Sequence, residues 1–202
     1  MTMSISAVIL AGGQAKRMEG ADKGLQLLHS KPLFQFICDR LHSQVKTISI
    51  NANRNQTIYA TAGVPVFGDN LEGFQGPLSG ILTALERADS DFVLFVPCDS
   101  PFFPDNLLEK LKSAVDFHGV SIAYVHDGER EHPTFCLMAR SLKDQLATYL
   151  ASGERRMLQF MRQNGAVSVD FSENKQAFTN INTLADLTYF NQQKDFSGFI
   201  AK

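Results

Sequence analysis

This chain has no excess of charge of either sign. With 19 Lys and Arg against 21 Asp and Glu over 202 residues, its formal net charge is −2. That excludes a global basic field able to hold nucleic acid or an anionic membrane, so an anion must be held by a local cluster. Cysteine is scarce. The three present, Cys38, Cys98 and Cys136, are odd in number and far apart, so they form no metal-ligand spacing and no disulfide framework. Their apolar neighbours predict buried thiols in a reducing compartment. No segment approaches the ~18 apolar residues that span a bilayer. Met1-Thr2-Met3-Ser4 carries no basic n-region, and the cytoplasm is the expected location. Internal repeats, low-complexity tracts and long linkers are missing as well. Hydrophobic content of 44% and charged content of 20% are near globular averages, which reads as one domain over 1–202 with length for a full core.

Several familiar motifs are missing too. No register of Gly12, Gly13, Gly20 or Gly24 supplies a P-loop, and adjacent Gly12 and Gly13 do not fit the dinucleotide fingerprint. There is no Gly-x-Ser-x-Gly elbow, and no cysteine has a histidine beside it, so a nucleophilic enzyme has no support. What stands in their place is an apolar run, Ile5 to Leu10, breaking into Ala11-Gly12-Gly13 and followed by Lys16, Arg17 and Lys23. Two glycines at a strand end let the backbone turn and approach a ligand, since no Cβ intervenes. Amide N–H groups with three cations around them suit a phosphate chain, and the loop points to a nucleoside triphosphate.

Strand-like and helix-like stretches then alternate. Pro32 opens an amphipathic helix, Thr47 to Ile50 reads as a strand, and a short helix from Arg54 stops at Gly63. Val64 to Phe67 is a short edge strand, and Gly76-Pro77-Leu78-Ser79-Gly80 leads into a helix. Phe92 to Val96, the most apolar run, is the expected central strand. Val120 to Val125 and Thr134 to Met138 look like strands joined by a hairpin at Asp127-Gly128. Two helices, a strand at Val167 to Val169, and a last helix capped by Thr183 with Asp186 complete the chain. The pattern implies an α/β fold with a mostly parallel sheet, helices on both faces and a late antiparallel hairpin.

In such sheets ligands sit beyond the carboxyl ends of strands, where Gly12-Gly13, Asn51, Asp69 and Asp99 all fall. Asp99 is placed to reach the Mg²⁺ that a triphosphate carries; Asp105 and Asn106 stand nearer the next helix and are its better caps. Asp69 can accept from a guanine's ring N–H and amino group, and Asn51 can touch base or ribose. With a turn centred on Asp127-Gly128, His126 faces Glu129, and His132 lies beyond reach. Arg155-Arg156, after Ser152-Gly153-Glu154 at a helix start, can hold a second phosphate.

Leu10-Ala11-Gly12-Gly13-x-x-x-Arg17-Met18-x-Gly20-x-Asp22-Lys23 resembles the signature of the molybdenum cofactor guanylyltransferases, a branch of the Rossmann-like GT-A nucleotidyltransferases. The likeness runs on through Lys31-Pro32-Leu33, Asn51-Ala52-Asn53-Arg54, Gly76 to Gly80, Pro97 to Pro101, His126 to Arg130, Gly153 to Arg156 and Asn180 to Thr183. It implies transfer of GMP from GTP to the terminal phosphate of molybdenum-molybdopterin, with pyrophosphate released. The GTP residues carried over are Leu10, Ala11, Gly12, Gly13, Lys23, Asn51, Asp69 and Asp99, with Mg²⁺ on Asp99. Arg17, Lys23 and Asp99 are the catalytic set. Arg155, Arg156, Asn180 and Asn182, in the second half of the chain and away from the glycine loop, fall to molybdopterin. Glu19 departs from the glycine usual there. The alternatives are a cytidylyltransferase, which usually reads Leu-Ala-Ala-Gly at this loop, another small-molecule nucleotidyltransferase, or a carrier of the cofactor. Other cofactor-biosynthesis proteins and recipient apo-enzymes are implied partners, and a monomer is expected.

Overall fold

The computed structural model describes residues 3–13, 22–71, 76–194 and 196. Its strands are β1 (Ile5–Leu10), β2 (Leu27–Leu28), β3 (Lys31–Pro32), β4 (Ile48–Asn51), β5 (Val66–Phe67), β6 (Phe92–Pro97), β7 (Ile122–His126), β8 (Glu131–Ala139) and β9 (Val167–Asp170). Its helices are α1 (Leu33–His42), α2 (Gln56–Tyr59), α3 (Pro77–Arg87), α4 (Leu107–His118), α5 (Lys143–Ala151), α6 (Met157–Gln163) and α7 (Leu184–Gln192). Seven strands form one sheet in the order β5-β4-β1-β6-β8-β7-β9, while β2 and β3 make a separate two-stranded ribbon. β5, β4, β1 and β6 run parallel; β8 is antiparallel to both β6 and β7. The architecture is α/β with a mixed, mostly parallel sheet and the antiparallel element late in the chain.

Alternation along each strand builds two cores. Ala7 and Ile9 of β1, with Leu94 and Val96 of β6, face a layer that includes Phe34, Ile37, Leu107 and Leu111 of α1 and α4. Val8, Val93 and Phe95 face the other way, onto Leu78, Ile81, Leu146 and Phe160 of α3, α5 and α6. Side chains on successive strand residues leave opposite faces of the sheet, so strands this apolar must be covered on both sides. A third cluster, Leu28, Leu33, Phe102, Ile181 and Phe190, joins the ribbon and α7 to the sheet's edge. Among the described residues no helix is long and apolar enough to cross a membrane.

The ribbon has no sequence signal. Its turn residues His29 (φ 45°) and Ser30 (φ 65°) both take the left-handed conformation, a turn that ordinarily calls for Asn-Gly. Asn191 of α7 holds it: its side-chain oxygen accepts from His29 N–H at 2.7 Å and its NH₂ donates to Leu27 C=O at 3.2 Å.

Two local expectations are corrected. His126 pairs with Glu131, not Glu129, and a bulge after Tyr124 puts His132 opposite Val125. The cause is Asp127, whose buried carboxylate accepts from Glu129 N–H at 2.9 Å and Arg130 N–H at 2.7 Å, closing a wider loop. Asn106 stands at the N-cap position of α4 but its side chain makes no capping bond, and Asp105 does not cap the helix either. Asp105 pairs with Arg40 at 2.9 Å, and the Leu108 N–H donates instead to Gln44 Oε1 at 2.9 Å. The three cysteines are free and buried, as their apolar neighbours predict.

The Thr183 cap forms as predicted. Its hydroxyl accepts from Asp186 N–H at 3.0 Å, while the Asp186 carboxylate accepts from the Thr183 and Asn182 N–H groups. Thr183→Ala should therefore cost about 1 kcal/mol, read as a lower midpoint in urea unfolding with the slope unchanged. Asp127 offers a pH test. Burial pushes its carboxyl up, but hydrogen bonds from His132 Nε2 (2.7 Å) and from the Arg130 and Glu129 N–H groups outweigh that and hold it down at about 2. A carboxyl depressed on folding stabilises above its unfolded pKa and loses that contribution as pH falls. The stability gap between wild type and Asp127→Asn should thus be full near neutrality and close as pH drops from about 4 to about 2.

Candidate active site

Parallel pairing of β5, β4, β1 and β6 brings four carboxyl-terminal strand ends to one edge of the sheet. The segments that follow line a cavity of about 340 Å³: Leu10 to Gly13 after β1, Asn51 at the end of β4, Asp69 after β5, and Pro97 to Asp99 at the end of β6. Gly76 and Pro77 add the amino end of α3, whose first N–H groups and helix dipole favour an anion. Asp22, Lys23 and Thr134 close the wall. Thr134 has no motif around it and enters because β8 runs antiparallel beside β6.

The polar groups of the cavity are tied to one another. Lys23 Nζ donates to Asp99 Oδ2 at 3.0 Å and to Asn182 Oδ1 at 2.5 Å. The Asp99 carbonyl accepts from Ile181 N–H at 2.7 Å, and Ser100 donates its hydroxyl to Asn180 Oδ1 at 3.0 Å. Residues at opposite ends of the chain are thus one cluster. Asn182 is not set apart from the glycine-loop half of the site, because the 180–182 segment crosses back over the end of β6. On the other side of the cavity Asn51 Nδ2 donates to Asp69 Oδ1 at 2.8 Å, and the neighbouring Asn70 N–H donates to Thr83 of α3 at 2.9 Å.

Asp22 is a buried carboxylate in the wall of a cavity suited to anions. Its two oxygens are occupied: Oδ1 accepts from Tyr59 Oη at 2.5 Å and Oδ2 from Asn55 at 3.2 Å. Burial, with Cys98 and Asp22 nearby, pushes the Tyr59 phenol far up, so it stays a donor. Gly24 is required here, since a Cβ on it would lie 2.5 Å from Tyr59 Oη. This anchor fixes the backbone beside Lys23, and the sequence reading assigned Asp22 no such part.

Arg155 and Arg156 do not line this cavity. Arg155 turns back on the end of α5, donating to the Leu150 carbonyl at 2.7 Å, and Arg156 is the residue before α6. Arg17 and Glu19 lie outside the described residues.

Asp99 fits a hard divalent cation better than the other wall carboxylates. Both oxygens of Asp22 are taken by neutral donors and Asp69 stands with Asn51 on the far side of the cavity, whereas Asp99 Oδ2 faces the Lys23 ammonium, at the end of the cavity that carries the cation. One carboxylate with phosphate oxygens is the usual holding of Mg²⁺.

Strand ends, a helix terminus and a glycine loop around one cavity suit a nucleotide, and the chain's likeness to known proteins makes the class a nucleotidyltransferase. The family model of the MobA-like NTP transferase domain matches residues 7–167. The molybdenum cofactor guanylyltransferase of Mannheimia succiniciproducens is 68% identical over 93% of this chain and 98% of its own length. That of Pasteurella multocida is 64% identical over 93% and 99%. The chain belongs to the molybdenum cofactor guanylyltransferase family. In fold it resembles the molybdopterin-guanine dinucleotide biosynthesis protein A of Archaeoglobus fulgidus, with a TM-score of 0.76 at 20% identity, covering 93% of this chain and 97% of that one.

A Cβ on Gly80 would overlap the Asn51 side chain, which lies against the first turn of α3. Gly80→Ala should push Asn51 off Asp69 and destabilise the fold by about 1–3 kcal/mol. Thermal unfolding checks the second effect, and a structure of the variant checks the first.

Proposed function

We propose that this chain transfers a guanylyl group from GTP to the terminal phosphate of molybdenum-molybdopterin. The observation that carries the reading is the Lys23–Asp99–Asn182 cluster at one end of a cavity whose other end holds Asn51 and Asp69. One end is built for phosphates and a cation, the other for the edge of a base.

In this reading the Leu10 to Gly13 loop and the amino end of α3 receive the nucleotide. Asp69 keeps one carboxylate oxygen beyond its bond to Asn51, an acceptor for guanine's ring N–H and amino group. Asp99 would hold Mg²⁺. When bound, that ion neutralises phosphate oxygens and supports the departing charge. Lys23, on a flexible stem and with its side chain 26% exposed, exchanges Asp99 for phosphate oxygens. Arg17 joins it there. A molybdopterin phosphate oxygen bonds to the α-phosphorus, the bond from that phosphorus to the bridging oxygen breaks, and its electron pair leaves with pyrophosphate. No general base is needed, because a phosphate monoester is already largely anionic near neutrality. Catalysis is therefore positioning and charge stabilisation. Asn180 and Asn182 present amides to the pterin's hydrogen-bonding edges; Arg155 and Arg156, which stand outside the nucleotide cavity, are assigned to its phosphate by their charge alone. Other cofactor-biosynthesis proteins and recipient apo-enzymes are the partners this product calls for, and the cytoplasm and a monomer are the proposed setting.

Pyrophosphate release from GTP, CTP and ATP, with Mg²⁺ and molybdopterin present, tests the reading. GTP should be preferred strongly, and Asp99→Asn should lower turnover by roughly 100- to 1,000-fold while thermal unfolding stays near wild type. Equal or faster use of CTP would reassign the chain to cytidylyl transfer. Pterin binding with no pyrophosphate from any nucleotide would make it a carrier.

A further inference from the structure

Asn53 does not line the cavity, yet its amide grips both loops that do. Nδ2 donates to the Gly12 carbonyl at 3.3 Å, and Oδ1 accepts from the Asp69 N–H at 2.7 Å. Gly12 and Asp69 are cavity walls, and the half-buried Asn53 stands behind them. A Cβ on Gly12 would lie 3.0 Å from Nδ2, so that loop closes right up to the amide.

Peptide geometry gives this grip a direction. In a trans peptide the C=O and the following N–H point to opposite sides. Holding the Gly12 carbonyl on Asn53 therefore turns the N–H of Gly13, itself a cavity residue, away from Asn53. At Asp69 the labour is divided: Asn53 takes the main-chain N–H and Asn51 takes Oδ1, which leaves Oδ2 for a ligand. Only a side chain with a donor and an acceptor on one carbon makes both bonds at this reach, and a carboxylate has no donor to give.

We propose that Asn53 is a positioning residue that sets the distance between the glycine loop and Asp69, and through them fixes guanine affinity and selection without touching the nucleotide. The proposal rests on the guanylyl reading above.

The test compares wild type, Asn53→Ala and Asn53→Asp with GTP and with ITP, which lacks the 2-amino group. Mg²⁺-nucleotide affinity is measured by titration calorimetry, and KM and kcat by pyrophosphate release. Asn53→Ala should raise Kd and KM for GTP about tenfold or more, leave kcat within about twofold, and shrink the preference for GTP over ITP. Asn53→Asp keeps the acceptor for the Asp69 N–H but loses the donor to Gly12, so it should weaken GTP as well, even where Asn53→Ala folds poorly. A fall in kcat for both nucleotides with KM unchanged would mean a smaller folded fraction and overturn the proposal. So would a GTP Kd within about twofold of wild type in both variants. Wild type that binds ITP as well as GTP removes Asp69 as the base acceptor, and Asn53 is then judged on the GTP Kd alone.

Discussion

Parallel pairing is the constraint on which the rest of this molecule depends. Hairpin turns cannot join parallel neighbours, so each connection must cross a face of the sheet, and helices cover both faces. The same pairing sends every carboxyl-terminal end of β5, β4, β1 and β6 to one edge. There the backbone leaves the ladder and its polar groups become free to meet a ligand. A cavity lined by four such ends follows from topology before any side chain is considered.

Side chains then divide that edge. Toward α3, Asn51 and Asp69 form a neutral-donor and acceptor pair close to the helix, where Gly80 makes room. Toward the 180–182 segment, Lys23, Asp99 and Asn182 form a charged cluster. Between them the Tyr59–Asp22 bond anchors the backbone that carries Lys23. The backbone of that lysine is therefore held from behind, while its ammonium group reaches Asp99 and Asn182 across the cavity. The apolar cluster of Leu28, Phe102, Ile181 and Phe190 supports the arrangement from below, binding the ribbon and α7 to the sheet.

The sheet was legible because buried strands announce themselves: Val8-Ile9-Leu10 and Val93 to Val96 leave no polar face. The strand ends were legible for the same reason, since each apolar run stops at a glycine, asparagine or aspartate. The β2–β3 ribbon was not, because its turn uses His29 and Ser30, held in place by Asn191 more than 160 positions away. Tertiary contact overrode turn preference there. The His126 partner was misplaced for a local reason, as Asp127 spends its carboxylate on the loop's own N–H groups. Asp22 and Asn53 stood inside recognised stretches, but their parts depend on Tyr59, Gly12 and Asp69, which no spacing along the chain reveals.

The closing of the charged cluster by Asn182 has a bearing on biosynthesis. Everything through Asp99, including the glycine loop, Asn51 and Asp69, leaves the ribosome long before residue 182 does. Domains begin to organise during synthesis from the amino end, so a partial chain can pair β1 with β4 and β6 while Lys23 has only Asp99 to hold it. The last piece of the site is also one of the last pieces translated. A nascent chain that has reached only Asp99 therefore lacks the amide that closes the charged cluster, Asn182 Oδ1 on Lys23.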